Sequence, residues 1–435
     1  MVSRKHYKGL AFFSIILAVG LLIGCNSSPA ATPAGKSTPN PNNAVQRPPR
    51  EGNKPTGETE MPSSTLQNIT FSVGQDQELT YPNGLNIVPD EHTTFMPPAP
   101  GSDTYLVFAA NMLNEQRVGG PVVLETKDLK DFGFAAGYQS PVMTAPLAVT
   151  KCKDSYDPEF DLNYVGPGSV LQDPTRPTGN LMMIYEAENH CPGGVEQHYF
   201  YATVGFARSS DNGKTWPDPV DRELGGPERY PVLKGSTSEP NVAEPSPVNM
   251  GDALPSAFVD KDYLYVTYLF AGEGKIRVAR AKLGDSGKLN FRKWYNGAFS
   301  EPGIGGLDSA VLPSSERLEE NMGQISYNDA LDLYMLTFVG KSQDGQAAWY
   351  FSTATSLDRQ DWTAPKVIEN SQFPFTRPCS RKGEFGTEFD GWYPSFMSPG
   401  SAAGHLSKKG FVFFMNGCDA GTRTFARRAF TITGP

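Results

Sequence analysis

One pattern recurs five times along the chain, and it constrains the fold more than any other feature. A short apolar run opens on a Ser-like position, passes a polar turn and continues into an aromatic-rich strand. The copies are Thr94–Met96 with Tyr105–Phe108, Ser169–Leu171 with Met182–Tyr185, Ser256–Val259 with Tyr263–Tyr268, Gln324–Tyr327 with Leu333–Phe338, and Ser395–Met397 with Phe411–Met415. The anchors at 94, 169, 256, 324 and 395 lie 75, 87, 68 and 71 residues apart. A repeat of this length, made of strands and turns, reads as a propeller blade, and five blades enclose a central funnel. Abundant Phe and Tyr, frequent Gly and Pro, and the absence of long helical periodicity all favour strands. The expectation is an all-β, five-bladed β-propeller over residues 66–435.

The fifth copy ends with Thr424–Ile432 and lacks a fourth strand. Leu66–Val73 alternates well enough to supply it, so the ring is expected to close on an N-terminal strand and leave no open sheet edge. A ring of small blades also resolves the conflict between roughly 370 residues and the usual single-domain size.

Residues 1–24 are expected to be an export signal rather than part of the fold. Arg4, Lys5 and Lys8 precede an apolar stretch, Leu10–Ile23, that is short for a membrane span. The stretch ends in Leu22, Ile23, Gly24 and Cys25. That run resembles a bacterial lipobox, which implies lipidation of Cys25 and a membrane-anchored protein of the bacterial cell envelope. Residues 25–65 are rich in Pro, Ser, Thr, Asn and Gly, with almost no large apolar side chain, and read as a disordered tether.

The formal charge of −9 falls to −12 once the three cations of the signal are removed. An acidic domain is a poor partner for nucleic acid or an anionic membrane surface, but suits a neutral ligand such as a glycan. Four cysteines remain after Cys25: Cys152, Cys191, Cys379 and Cys418. An even number in an exported chain suggests two disulfides, and the favoured pairing of the three allowed is Cys152–Cys191 with Cys379–Cys418. His190, Cys191 and His198 lack the paired Cys-x-x-Cys partner of a zinc site, so no metal or other cofactor is expected. The Gly303–Gly306 segment lacks the strand–helix context of a phosphate loop and reads as a turn. A monomer is expected.

Within the second copy, Ser209, Asp211, Gly213, Thr215 and Trp216 resemble the Asp box of sialidases and other propellers, a structural turn on the outer rim. The blade pattern over about residues 66–435 is similar to that of glycoside hydrolase families 43, 32 and 68. Those enzymes carry carboxylates at the funnel: one Asp before the first blade, another Asp in the second, and a Glu in or near the third. This chain offers Asp90 and Glu91, then Asp161, Asp252, Glu319 and Glu320, and Glu388 and Asp390 before successive inner strands. Asp252 and Asp390 rank highest because each directly precedes a well-formed inner strand, and Glu320 is the third carboxylate. Trp392, Tyr393 and Tyr164 are candidates to stack on sugar rings. Glu186 and Glu188, at the end of a second strand, either reach the funnel mouth or belong to the loop that holds Cys191. The chain departs from the families in lacking a Trp-x-Asn-Asp-Pro-Asn segment, a Glu-Gly-Pro at a blade entry and an arginine triad. Two function classes follow: a surface enzyme that cleaves a glycan with two facing carboxyls, or a non-catalytic propeller that binds a glycan or a partner protein.

Overall fold

The structure, a computed structural model, describes residues 68–434 apart from 83–84, 86–89, 114–117, 147–159, 191–199, 218–227, 236–249, 271–272, 285–286, 313–317, 344–346, 373–390 and 417–423. The signal and tether, Cys25, the other four cysteines and Asp390 lie outside the described residues.

The described chain is all strand and connection. After β1 (Thr70–Glu78), the first sheet runs outward as β2 (Thr94–Met96), β3 (Tyr105–Leu113), β4 (Val118–Thr126) and β5 (Gly133–Phe134). The second is β6 (Tyr164–Gln172), β7 (Leu181–Asn189), β8 (Tyr201–Ser209) and β9 (Arg229–Leu233). The third is β10 (Met250–Asp260), β11 (Tyr263–Phe270), β12 (Ile276–Lys282), β13 (Arg292–Tyr295) and β14 (Ala298–Pro302). The fourth is β15 (Leu318–Asn328), β16 (Leu333–Ser342), β17 (Ala347–Ala354) and β18 (Lys366–Val367). The fifth is β19 (Trp392–Met397), β21 (Lys409–Asn416) and β22 (Thr424–Thr433), with β20 (His405–Leu406) pairing in parallel with β15. The fourth strand of this last sheet is β1, antiparallel to β22 with Phe71 opposite Ile432. A short parallel pairing of β10 with β8 joins the second and third sheets.

Both faces of each sheet are covered, which is why the middle strands read as unbroken apolar runs. Along β7, Leu181, Met183, Tyr185 and Ala187 pack towards the first sheet, while Met182 and Ile184 pack towards the third. Five apolar clusters fill the five seams between neighbouring sheets, including the one between the last and the first, where Phe413 and Phe425 meet Phe95, Val107 and Phe132. The fold is a five-bladed β-propeller. β1 touches three of its blades. Val73 N donates to Glu369 O beside the fourth sheet, its ladder completes the fifth, and Phe132 N in the first donates to Thr80 O just beyond its end.

The five sequence anchors line the axis and are tied to one another. Thr94 Oγ1 accepts from Val170 N at 3.0 Å, and Ser169 Oγ accepts from Ala257 N at 2.8 Å. Thr267 Oγ1 donates to both Ser256 O and Gly323 O. Gln324 Oε1 accepts from Phe396 N at 2.8 Å, and Ser395 Oγ accepts from Thr93 N at 2.7 Å. Each blade thus offers a side-chain oxygen that satisfies a backbone group of the next. That explains the polar side chain at Thr94, Ser169, Gln324 and Ser395, since an apolar one there would orphan a buried N–H, while in the third blade the link comes from Thr267 rather than from the anchor Ser256. The belt encloses a narrow cavity of about 30 Å³ lined by His92, Thr94, Ser169, Ser256 and Gln324 among others.

Just before their anchors, β6, β10, β15 and β19 each break register with a bulge. In the last three, the residue two before the anchor is non-glycine with a positive φ: Leu254 at 52°, Met322 at 51° and Tyr393 at 54°. Bulges bend a strand and re-aim its side chains and N–H groups. A non-glycine residue in this conformation is strained, and recurrence at one rim points to a local purpose.

Candidate funnel site

The rim formed by these bulges, together with the end of β7, holds a cluster of carboxyl groups. Glu91 lies three residues before β2 and is 2% exposed; Glu186, on β7, is 1% exposed. Their carboxyls are within hydrogen-bonding contact, with Glu188 against Glu186. Gly166 makes this approach possible: a Cβ there would meet the Tyr164 hydroxyl at 2.5 Å and Glu91 Cγ at 2.6 Å. The Tyr164 hydroxyl donates to Asp90 O at 3.2 Å, and Glu188 Oε2 pairs with His190 Nε2 at 2.5 Å. The N–H of Leu254, turned inward by the bulge in β10, donates to Glu186 Oε2.

This arrangement separates the protonation states of the two touching carboxyls. Burial pushes Glu91 well above the usual carboxylate range, and the charges of Glu186, Asp90 and Glu188 push it further. Glu186 is also raised, by burial and then by Glu188, but the Leu254 N–H favours its ionised form. Glu91 is therefore the natural proton holder and Glu186 the natural carboxylate. Burial also raises the Tyr164 phenol, helped by Asp90, Glu91, Glu188 and Tyr393, and keeps it a hydrogen-bond donor. Next to Glu91, the buried His92 donates through Nδ1–H to Pro394 O at 3.2 Å, and burial lowers its pKa to about 4, so its imidazole is neutral.

Of the residues singled out in the sequence, Tyr164 is a member of this cluster, and Tyr393 lies at the bulged start of the fifth blade. Trp392 lies beside Tyr393, ring centroids 6.1 Å apart, and Tyr393 N donates to Met322 Sδ across the seam. Asp252 and Glu320 are engaged elsewhere. Asp252 is fully buried and pairs with Lys293 Nζ at 2.8 Å; Lys293 also reaches Asp308 at 3.4 Å, and Arg277 Nε holds Asp308 at 2.9 Å. Burial raises Asp252 to about 6 against the opposing pull of Lys293. Glu320 accepts from Ile276 N at 3.0 Å and from Lys275 Nζ at 3.1 Å, fixing the start of β12. Glu91, one of the acids offered before the first blade, and Glu186 and Glu188, offered as reaching the funnel mouth or belonging to the loop of Cys191, form the cluster. On β7, Glu186 and Glu188 occupy alternate positions of the face that carries Met182 and Ile184 further along, and polar residues continuing a buried apolar face are the signal that picks them out.

No family model matches the chain, and no curated protein matches it. Solved structures similar to it include the catalytic domain of a family 62 α-L-arabinofuranosidase from Coprinopsis cinerea, at 13% identity and TM-score 0.46, covering 84% of this chain and 98% of that one. An α-L-arabinofuranosidase from Podospora anserina, in complex with cellotriose, aligns at 11% identity and TM-score 0.45, covering 86% and 99%. A family 117 glycoside hydrolase from the marine bacterium Zobellia galactanivorans aligns at 12% identity and TM-score 0.46, covering 84% and 90%. The fold assignment rests on the sheets, seams and belt described above, and no residue role is taken from these proteins.

Proposed function

We propose that this propeller binds a carbohydrate at the rim of its funnel and that Glu91, Glu186 and Glu188 act on it as acid and base. The observation that carries this reading is the pair of buried, touching carboxyls with a third beside them, a costly arrangement that folding alone does not call for. Glu91 supplies the proton. Glu186, held by Leu254 N–H, keeps Glu91 protonated; once Glu91 has given its proton to the leaving-group oxygen, Glu188 takes a proton from the attacking water and that proton restores Glu91. Glu91 and Glu186 are closer than the roughly 5–5.5 Å that separates acid and nucleophile across a sugar ring, so they serve as one donor unit and Glu188 is the second arm. The part-exposed Tyr393 and Trp392 form the surface for the C–H faces of a sugar, and the buried Tyr164 holds the Asp90 carbonyl. In this reading Asp252 and Glu320 hold the blade entries rather than the ligand.

Reducing-end release from a polysaccharide panel tests the reading. Glu91→Gln and Glu186→Gln are each expected to lower turnover at least a hundredfold with the fold intact. Wild-type turnover in either variant overturns it. The second reading, a binding module without catalysis, is favoured by the contact between Glu91 and Glu186. It wins if the wild-type chain binds a glycan but releases no reducing ends.

The same proposal keeps the chain anchored to a bacterial envelope membrane through a lipid on Cys25, with disulfides Cys152–Cys191 and Cys379–Cys418. Mass spectrometry of the amino-terminal peptide and non-reducing peptide mapping test these two points; an unmodified Cys25, or a cross-link joining Cys191 to Cys379, refutes them.

A further inference from the structure

Two of the rim bulges are built alike. Leu254 and Tyr393 each have a positive φ, and each is followed by a proline and then a serine anchor. In the third blade Ala253 pairs with Leu269 and Ser256 with Thr267, so Leu254 and Pro255 together oppose Tyr268. In the fifth, Trp392 pairs with Met415 and Ser395 with Phe413, so Tyr393 and Pro394 oppose Phe414. Proline pushes the residue before it towards extended backbone and has no N–H of its own, so each bulge is strained and frees one donor. A side chain from the preceding blade takes that donor. Leu254 N–H goes to Glu186 of the second blade, and Tyr393 N–H goes to Met322 Sδ of the fourth at 3.1 Å. Met322 is 1% exposed and belongs to the apolar cluster against which Trp392 and Tyr393 pack. The rest of the fifth-blade bulge is pinned by Ser395 Oγ, which donates to Tyr393 O at 3.1 Å, and by His92 Nδ1–H on Pro394 O at 3.2 Å.

Successive residues of a regular strand point to opposite faces. Trp392 and Tyr393 are successive, yet their ring centroids lie 6.1 Å apart with the planes at 46°, because the bulge re-aims one of them. We propose that Met322 is a positioning residue for ligand binding: its thioether takes the N–H that the bulge frees and so holds Trp392 and Tyr393 as one two-ring platform. The inference rests on the carbohydrate reading above and adds what fixes the surface that the sugar meets. A methionine suits this task. Its unbranched side chain reaches from one inner strand to the next, and its sulfur accepts a hydrogen bond without bringing a charge to the rim. A leucine at 322 fills similar space and accepts nothing, which orphans the Tyr393 N–H. The bulge then keeps its strain without its anchor, and a strained conformation persists only where the surroundings over-determine it. The rings separate and the platform is lost. Glu186 is held by a different bulge, through Leu254 N–H, so the loss falls on binding and leaves the acid–base step in place.

The test compares Met322→Leu with Met183→Leu, which alters a fully buried methionine in the seam between the first two blades. The ligand is a glycan from the polysaccharide panel that the wild-type full chain cleaves. Met322→Leu is expected to raise KM roughly fivefold or more with kcat within about twofold of wild type, and Met183→Leu to change neither. For a glycan that is bound without being cleaved, Kd is read in place of KM. Two further readouts follow the platform itself. The near-ultraviolet circular dichroism signal that Trp392→Phe removes from the wild-type chain is expected to be missing already in Met322→Leu. Amide exchange at Tyr393 is expected to be about tenfold faster in Met322→Leu than in wild type. An unchanged KM, a fall in kcat at unchanged KM, or an equal rise in KM for both substitutions overturns the inference and leaves the carbohydrate reading standing. Absence of any glycan binding or turnover by the wild-type chain overturns both. Should Met322→Leu not fold, the wild-type chain decides. Its Tyr393 N–H is expected to be protected and to exchange more slowly still with the glycan bound. Exchange at the rate of an exposed amide, or protection that the glycan leaves unchanged, overturns the inference.

Discussion

Asp252 and Leu254 are two residues apart on β10, yet they serve two acidic centres built on opposite principles. At Asp252 the charges are matched: Lys293 pairs with it, Asp308 shares that lysine, and Arg277 holds Asp308. At Leu254 the backbone N–H supports Glu186 in a cluster whose members repel one another. Both centres are buried and both contain carboxyls pushed upward by burial. A matched centre stabilises geometry and is expensive to break, because removing one partner strands the other. An unmatched centre is tolerated by the rest of the fold and is available to a ligand. Burial and a raised pKa are common to the two, so neither property tells them apart; among the described residues the difference is the lysine that pairs with Asp252.

The largest expected effect lies on the matched side. Lys293→Met leaves Asp252 buried without its cation, and Asp252→Asn leaves Lys293 with Lys234 O and the longer ionic contact to Asp308. Each is expected to cost about 3–5 kcal/mol, the usual consequence of halving a buried ion pair. The double substitution is expected to recover much of the loss. Urea unfolding measures all three, and single variants as stable as wild type would dissolve the distinction between the centres.

The unmatched side should respond with the opposite sign. Glu91→Gln replaces a repelled carboxyl by a neutral side chain of the same shape. It is expected to stabilise the domain at pH 7.5 by roughly 0.5–2 kcal/mol, as substitutions at strained functional sites often do, while removing the proposed activity. A destabilised Glu91→Gln would mean that Glu91 has a structural partner and that the centre is matched after all.

Much of the fold was legible in the sequence because its main devices are periodic. The anchors at 94, 169, 324 and 395 each supply one link of the axial belt, with Thr267 supplying it beside the anchor at 256, and β7, β11 and β16 read as apolar runs because both faces are covered. The truncated last blade and the alternating Ile69–Val73 segment pointed to the pairing that β1 makes with β22. The site was harder to read. Asp252 and Glu186 are both acidic residues near blade entries, and what separates them is Lys293, 41 residues beyond Asp252 on a different strand. No local pattern in the sequence carries that contact. The bulges were equally hidden: Leu254, Met322 and Tyr393 share no side-chain chemistry, only a backbone conformation imposed where each strand turns towards the axis.

The smallest effect, the pH dependence of stability, separates the centres without changing any residue but one. Asp252 has a folded pKa of about 6 against an ordinary value of 3.8, so its contribution to stability is lost as pH rises through that interval. His92, lowered from 6.5 to about 4, acts in the other direction: its contribution is lost as pH falls from 6.5 to about 4. Between pH 4 and 6 these two slopes oppose each other. Above pH 6 both groups have largely completed their titration, and the raised carboxyls Glu91 and Glu186 dominate. Folding holds their protons more tightly than the unfolded chain does, so stability is expected to fall as pH rises from 6 towards 8. Thermal melts of wild type and Glu91→Gln across that range read this directly. The decline should be present in wild type and reduced in the variant, which has lost one of the two raised carboxyls. A decline that persists unchanged in Glu91→Gln places the titrating groups elsewhere in the propeller and removes the electrostatic basis for treating the funnel rim as the unmatched centre.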